Sequence, residues 1–270
     1  MKLIEGLKLE VNETFIACHI TQLTEELKEG IRVHLQNICH GKGLVSKGLL
    51  AHSYLRTLQN FRDRYVEKTV NIKKGMIGEL LTHYVVHDFL DDFDVVSPFF
   101  NMEEKSQRKG FDLLLTTNDG QEVWITEVKS GEINSIGCPD RATRGFLHTA
   151  KRDLKKRLNE PEETFWLNAI NTAQNAILGC TDYKDAVLKI LDEEAVSAAD
   201  DKASGLDNNV ILVSVLFFDI NKPFEIKNTE EVSHDIAAEN LFNKVITFSI
   251  QKGTYENIAK FLFEEELDGV

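Results

Sequence analysis

Two strand-like runs separated by a three-residue turn constrain this chain more than any other feature. Residues 111–117 (FDLLLTT) are almost continuously apolar, as buried strands are. Residues 121–129 (QEVWITEVK) are rich in β-branched and aromatic side chains, which favour strands. Asn118-Asp119-Gly120 joins the two, and Asp-Gly is a strong hairpin signal. The runs are expected to fold back on one another, bringing Asp112 at the start of the first near Glu127-Val128-Lys129 at the end of the second.

Alternation along 121–129 sorts the side chains onto two faces. Val123, Ile125, Glu127 and Lys129 share one face; Trp124, Thr126 and Val128 share the other. Glu127 and Lys129 therefore point the same way, one pleat apart. Carboxylates such as Asp112 and Glu127 suit Mg²⁺ or Mn²⁺ rather than a thiophilic metal. A cation held there can lower the pKa of a bound water and polarise a phosphate oxygen, while Lys129 can orient that water or neutralise transition-state charge. Glu-x-Lys alone says little: it recurs at Glu26 and Lys28, Glu103 and Lys105, and Glu225 and Lys227 in a chain with 44 acidic residues. The alternative reading makes Glu127 and Lys129 a solvated pair at a strand end and Asp112 a turn residue. Only this copy ends a strand and follows a second acid-bearing apolar run.

Residues 75–91 (GMIGELLTHYVVHDFLD) read as a helix with Met76, Ile77, Leu80, Leu81, Tyr84, Val85 and Phe89 as its apolar stripe. Glu79 lies on the edge of that stripe and can face a site. Its alternative role is that of a first-turn glutamate favoured by the helix dipole.

Gly78-Glu79, Asp112 and Glu127-Val128-Lys129 together resemble the PD-(D/E)xK nuclease superfamily, with Phe111 where its motif has proline. The resemblance implies an α/β (α+β) fold. Its restriction-endonuclease-like core would run helix, three antiparallel strands, helix, strand, in a central mixed sheet flanked by helices. It implies Asp112, Glu127 and the Val128 carbonyl as ligands of Mg²⁺ or Mn²⁺, Lys129 as the catalytic lysine, and Glu79 as a helix-borne glutamate supporting the metal. More narrowly, the helix GMIGELLTHYVV followed by KGFDLLL and VWITEVKS resembles the nuclease subunits of the Hachiman anti-phage system, the HamA family. That likeness implies DNA as substrate, a bacterial cytoplasmic setting, and a superfamily 2 helicase partner, HamB, that restrains the nuclease.

The net charge of −13 argues against a protein that coats DNA. The basic residues are concentrated, however, at 141–157, where Arg141, Arg144, Lys151, Arg152, Lys155, Lys156 and Arg157 stand against the single acid Asp153. We read this segment, where the superfamily places its second core helix, as a phosphate-contacting face; a solvated helix face is the alternative.

The 270 residues can bury a large core. With no apolar run long enough for a membrane span and an acid-containing N-terminus unlike a secretory signal, the sequence suggests a soluble intracellular protein. Cys18, Cys39, Cys138 and Cys180 are scattered without a CxxC and are expected as free thiols. Residues 1–70 read as an accessory α/β region before a nuclease domain at 71–270. A strand is expected at 14–20, helices at 25–39 and 49–67, and a loop at 41–48 that lacks the P-loop pattern. A strand at 94–100, helices at 162–178 and 183–195, a polar loop at 196–208, strands at 210–220 and 244–250, and a closing helix at 254–267 complete the reading.

His83 and His87, with Glu79 one turn earlier, offer a rival zinc reading, as do Cys18-His19 and Cys39-His40, although neither set matches a familiar zinc module. No G-x-S-x-G or evident Cys-His pattern supports acyl transfer. Two functions are therefore carried forward: a metal-dependent DNA nuclease, and a non-catalytic subunit that binds a helicase or nucleic acid through an enzyme-like fold.

Overall fold

A computed structural model describes residues 2–100, 110–179 and 183–265. Cys180, the Glu103 and Lys105 repeat, and the end of the closing helix past residue 265 lie outside the described residues. The chain forms β1 (Lys2–Ile4), β2 (Leu7–Val11), β3 (Phe15–Ile20), α1 (Glu25–His40), α2 (Lys42–Val45), α3 (Tyr54–Val66), α4 (Val70–Phe89), β4 (Phe93–Val95), β5 (Leu113–Thr117) and β6 (Val123–Glu132). It continues with α5 (Pro139–Leu158), α6 (Thr164–Ala176), α7 (Lys184–Ala199), β7 (Asn209–Phe217), α8 (Ile226–Ala238), β8 (Lys244–Lys252) and α9 (Glu256–Glu264).

The eight strands of the described residues join one mixed sheet in the order β1-β2-β3-β8-β7-β6-β5-β4. The four central strands, β3, β8, β7 and β6, are mutually parallel, and antiparallel strands extend both ends. The run α4, β4-β5-β6, α5, β7 has the helix, three antiparallel strands, helix, strand order expected above. The strands before residue 70 belong to the same sheet, because β3 pairs in parallel with β8 from Phe15↔Thr247 to Ile20↔Lys252.

Helices cover both faces. Side chains from α1, α3, α4 and α9 meet Trp124, Val128, Val213 and Phe248 in one core. Side chains from α5, α6, α7 and α8 meet Val123, Ile125, Val210 and Leu212 in the other. The β6 alternation read from sequence therefore sorts its side chains between two cores. Strand β7 is buried along its whole length, since both faces are covered. Gly120 closes the β5–β6 turn at φ +70°, a conformation that glycine adopts without steric cost.

Several boundaries differ from the sequence reading. Helix α7 continues to Ala199, into the first turn of the expected loop, because Val187, Leu191, Ala195 and Ala198 keep a buried face. The helix expected at 49–67 breaks at Ser53, in extended backbone, into a 3₁₀ turn at Leu50–His52 and α3. The loop at 41–48 contains the single turn α2. The strand expected at 94–100 shortens to β4. Helix α8 and strands β1 and β2 were not anticipated. Their signals are short: Thr229, Val232 and Ile236 form a buried face on α8, and Leu7 and Leu9 alternate with exposed Lys8 on β2. Helix α4 is buried on most sides rather than along one stripe, because it packs against α1 as well as against the sheet.

Candidate active site

A tight contact between α4 and β6 positions the site. A Cβ at Gly78 would stand 2.7 Å from Ser130 Cβ and 2.9 Å from its Oγ. The Ser130 hydroxyl in turn donates to the Lys74 carbonyl at 3.1 Å. Helix α4 is thus held against β6, which places the next residue, Glu79, among the acids of the sheet.

Asp112 stands just before β5. Its Oδ2 accepts the Val128 N–H at 2.7 Å, locking the start of β5 to the end of the motif on β6. Glu127 is 1 % exposed. Its Oε1 accepts from Lys129 Nζ at 2.8 Å, and its Oε2 from Arg157 Nη1 at 2.8 Å. Lys129 also pairs with Asp153 Oδ2 at 3.1 Å. Arg157 reaches the Gly110 carbonyl and lies 5.9 Å and 5.3 Å from the ring centres of Phe111 and Phe165. Such stacking suits a guanidinium. Asp153 and Arg157 are four residues apart on α5, so one helical face clamps both the lysine and the glutamate of the motif.

The electrostatics follow from burial and crowding. Burial, and then the negative charges of Asp112 and Glu127, push the Glu79 carboxyl well above its usual range, against an opposing pull from Lys129. Burial and the neighbouring Glu127 raise Asp112 to about 7, while the Val128 N–H, Arg157 and Lys129 pull it down. Burial alone would lower the Lys129 ammonium; its bond to Glu127, with Asp153 and Asp112, outweighs this and raises it. Excess carboxylate charge is thus confined beside two cations. A cavity of about 270 Å³ opens onto Glu79, Asp112 and Arg157, walled by Pro98, Phe99 and Asn168.

The structure therefore brings Glu79, Asp112, Glu127 and Lys129 together. Sequence reasoning gave Arg157 to the phosphate-contacting face and counted Asp153 only as the lone acid of the basic run; both belong to this site. The available signal was their four-residue spacing beside the apolar positions Ala150, Leu154 and Leu158.

The remaining basic residues of α5 divide. Arg141, Arg152, Lys155 and Lys156 are exposed, with Arg152 against Asp153 and Lys156 near Glu160. Arg144 instead bonds Asp235 at 2.9 Å, and Lys151 bonds Glu239 at 2.5 Å, so α8 neutralises that part of the stripe.

The histidines do not assemble a zinc centre. His83 is 1 % exposed and stacks with His87, which stacks in turn with His34. Burial lowers His83 well below its ordinary range and His87 to about 3. His19 bonds the Phe224 carbonyl, His40 bonds Thr57, and Cys18, Cys39 and Cys138 are free thiols. Among the described residues no three His, Cys, Asp or Glu side chains are gathered as they stand to hold a metal ion. No described helix is long and apolar enough to cross a membrane.

No curated protein and no solved structure matches the chain. The family model described as HamA matches residues 7–265, nearly the whole sequence and all of the site above. The chain belongs to the HamA family.

Proposed function

We propose that this HamA-family protein is a metal-dependent deoxyribonuclease of the PD-(D/E)xK type, the cytoplasmic effector of Hachiman anti-phage defence, working with a HamB-like superfamily 2 helicase. The observation that carries the reading is the convergence of Glu79, Asp112, Glu127 and Lys129 from a helix and two strands onto one place.

The donor set fits a hard cation. Its oxygens come from carboxylates, and Glu79 and Asp112 are shifted upward by burial first and then by the charge of neighbouring carboxylates, which Lys129 only partly offsets. Asp112, Glu127 and the Val128 carbonyl would hold Mg²⁺ or Mn²⁺, with Glu79 in support, once Arg157 releases Glu127 Oε2. An ion held there would supply the chemistry of water activation and phosphate polarisation. Lys129, held by Glu127 and Asp153, orients the attacking water and neutralises charge that develops on the phosphate. The outward Arg141, Arg152, Lys155 and Lys156 provide the phosphate-contacting face, while Arg144 and Lys151, engaged by Asp235 and Glu239, do not contribute to it.

One observation favours a second reading. Both Glu127 oxygens are already satisfied by cations, as in a structural ion-pair network, which suits a non-catalytic subunit that binds a helicase or nucleic acid.

A plasmid-cleavage assay separates the two. Cleavage that requires Mg²⁺ or Mn²⁺ and is abolished by Asp112→Ala, Glu127→Ala and Lys129→Ala, with folding intact, supports the nuclease. Full activity in all three variants overturns the site. Absence of cleavage even with the helicase and ATP, with helicase binding intact in Glu127→Ala, supports the second reading.

A further inference from the structure

Lys252, the last residue of β8, is 3 % exposed. By strand alternation it continues the face of Ile246, Phe248 and Ile250, which packs into the core shared with α1 and α9. Among the described residues its ammonium has no ion-pair or hydrogen-bond partner, and burial lowers its pKa. Lysine is rarely buried without a counter-charge, because removing an unpaired charge from water is costly.

Lys252 lines a cavity of about 540 Å³ between α1, α9 and the ends of β3 and β8. That is the size of a small-molecule site. It lies at the carboxyl ends of parallel strands, where open α/β sheets bind ligands. Five residues from the Glu127 row along the paired strands, it is a separate place. Three further cations line it, each already paired: Lys28 with Glu25 at 2.6 Å, Arg32 with Glu265 at 2.7 Å, and Lys260 with Glu264 at 3.5 Å. Glu25 and Glu264 are mostly exposed, so the pairs of Lys28 and Lys260 are weak and can exchange for a better anion.

We infer that this cavity is a binding site for a small phosphorylated ligand of nucleotide size, its phosphate seated on Lys252 with Lys28 and Lys260 at the mouth. One fixed ammonium and two exchangeable ones suit a multiply charged oxyanion better than a single carboxylate. The glutamates at the mouth oppose a polyanion such as a nucleic acid strand, and limit the ligand to one phosphorylated group.

The test is titration of the full chain with inorganic phosphate and with adenosine 5′-monophosphate, at constant ionic strength against chloride, followed by calorimetry and thermal melting. Wild type is expected to bind and to melt higher. Lys252→Met is expected to bind roughly tenfold or more weakly and, without ligand, to melt no lower than wild type. No response in wild type beyond that to chloride, or undiminished affinity in Lys252→Met, overturns the site. If Lys252→Met does not fold, the Lys28→Ala and Lys260→Ala double variant serves instead, and unchanged affinity there overturns it equally.

Discussion

Gly78 faces Ser130 so closely that a methyl group on the glycine would overlap the serine side chain, at 2.7 Å from its Cβ. Gly78 is therefore required by packing, and it sets the depth of Glu79. Gly78→Ala must push α4 away from β6, because turning the Ser130 side chain moves its Oγ and leaves its Cβ in place. The expected result is a destabilisation of about 1–3 kcal/mol, measured by denaturant unfolding, with a larger fall in metal-dependent cleavage than Glu79→Gln produces alone. Unchanged stability would mean that the helix does not sit as described.

Glu127 is held by cations on both oxygens while almost wholly buried. Removing one cation leaves the carboxylate under-compensated, which costs more than an exposed pair does. Arg157→Ala is expected to lower unfolding stability by about 3 kcal/mol or more. Adding Glu127→Gln should recover part of that loss, because the uncompensated charge goes with it. Additive losses in the double-mutant cycle would place Arg157 and Glu127 out of contact.

Much of this network could be read from the chain because it is local. The hairpin, the alternation on β6 and the Glu79 helix are short-range patterns, and each puts its acid where the structure has it. Asp153 and Arg157 were harder to assign, since their function depends on which face of α5 turns inward; within seventeen residues carrying seven cations, composition points outward. The loss of Arg144 and Lys151 to Asp235 and Glu239 could not be read at all. It depends on α8, whose buried face is carried by Thr229, Val232, Ser233 and Ile236, half of them polar, so the helix has only a weak apolar period. The buried Lys252 is likewise a tertiary fact, because in sequence it is simply a lysine just past the strand expected at 244–250.

The shift of Asp112 predicts a pH dependence of opposite sign to that of an ordinary salt-bridged carboxylate. Its folded pKa of about 7 lies above the ordinary value of 3.8, so between them the folded state binds the proton more tightly than the unfolded state does. This contribution to stability is full below about pH 4 and is lost as pH rises through 7. Glu79, raised in the same direction, adds to the fall. Melting of metal-free protein should therefore decline across that range, and Asp112→Asn should flatten the decline. Mg²⁺ should restore stability at the upper end in wild type, since it offsets the carboxylate charge. A stability that rises with pH between 4 and 7 in metal-free wild type, and is unaltered in Asp112→Asn, would remove Asp112 as a strained acid.

The basic helix predicts a division of labour on its own surface. Lys155 and Lys156 point outward, whereas Arg144 and Lys151 are engaged with α8. Each phosphate neutralised contributes about 0.9 to the slope of log affinity against log salt for duplex DNA. The Lys155→Ala and Lys156→Ala double variant should reduce that slope by about 1–2, measured by fluorescence anisotropy in chelator so that no cleavage occurs. Arg144→Ala and Lys151→Ala should leave the slope unchanged and instead loosen the contact between α5 and α8. The reverse pattern would mean that α8 moves aside when DNA binds, and that the acids Asp235 and Glu239 compete with phosphate for the same cations.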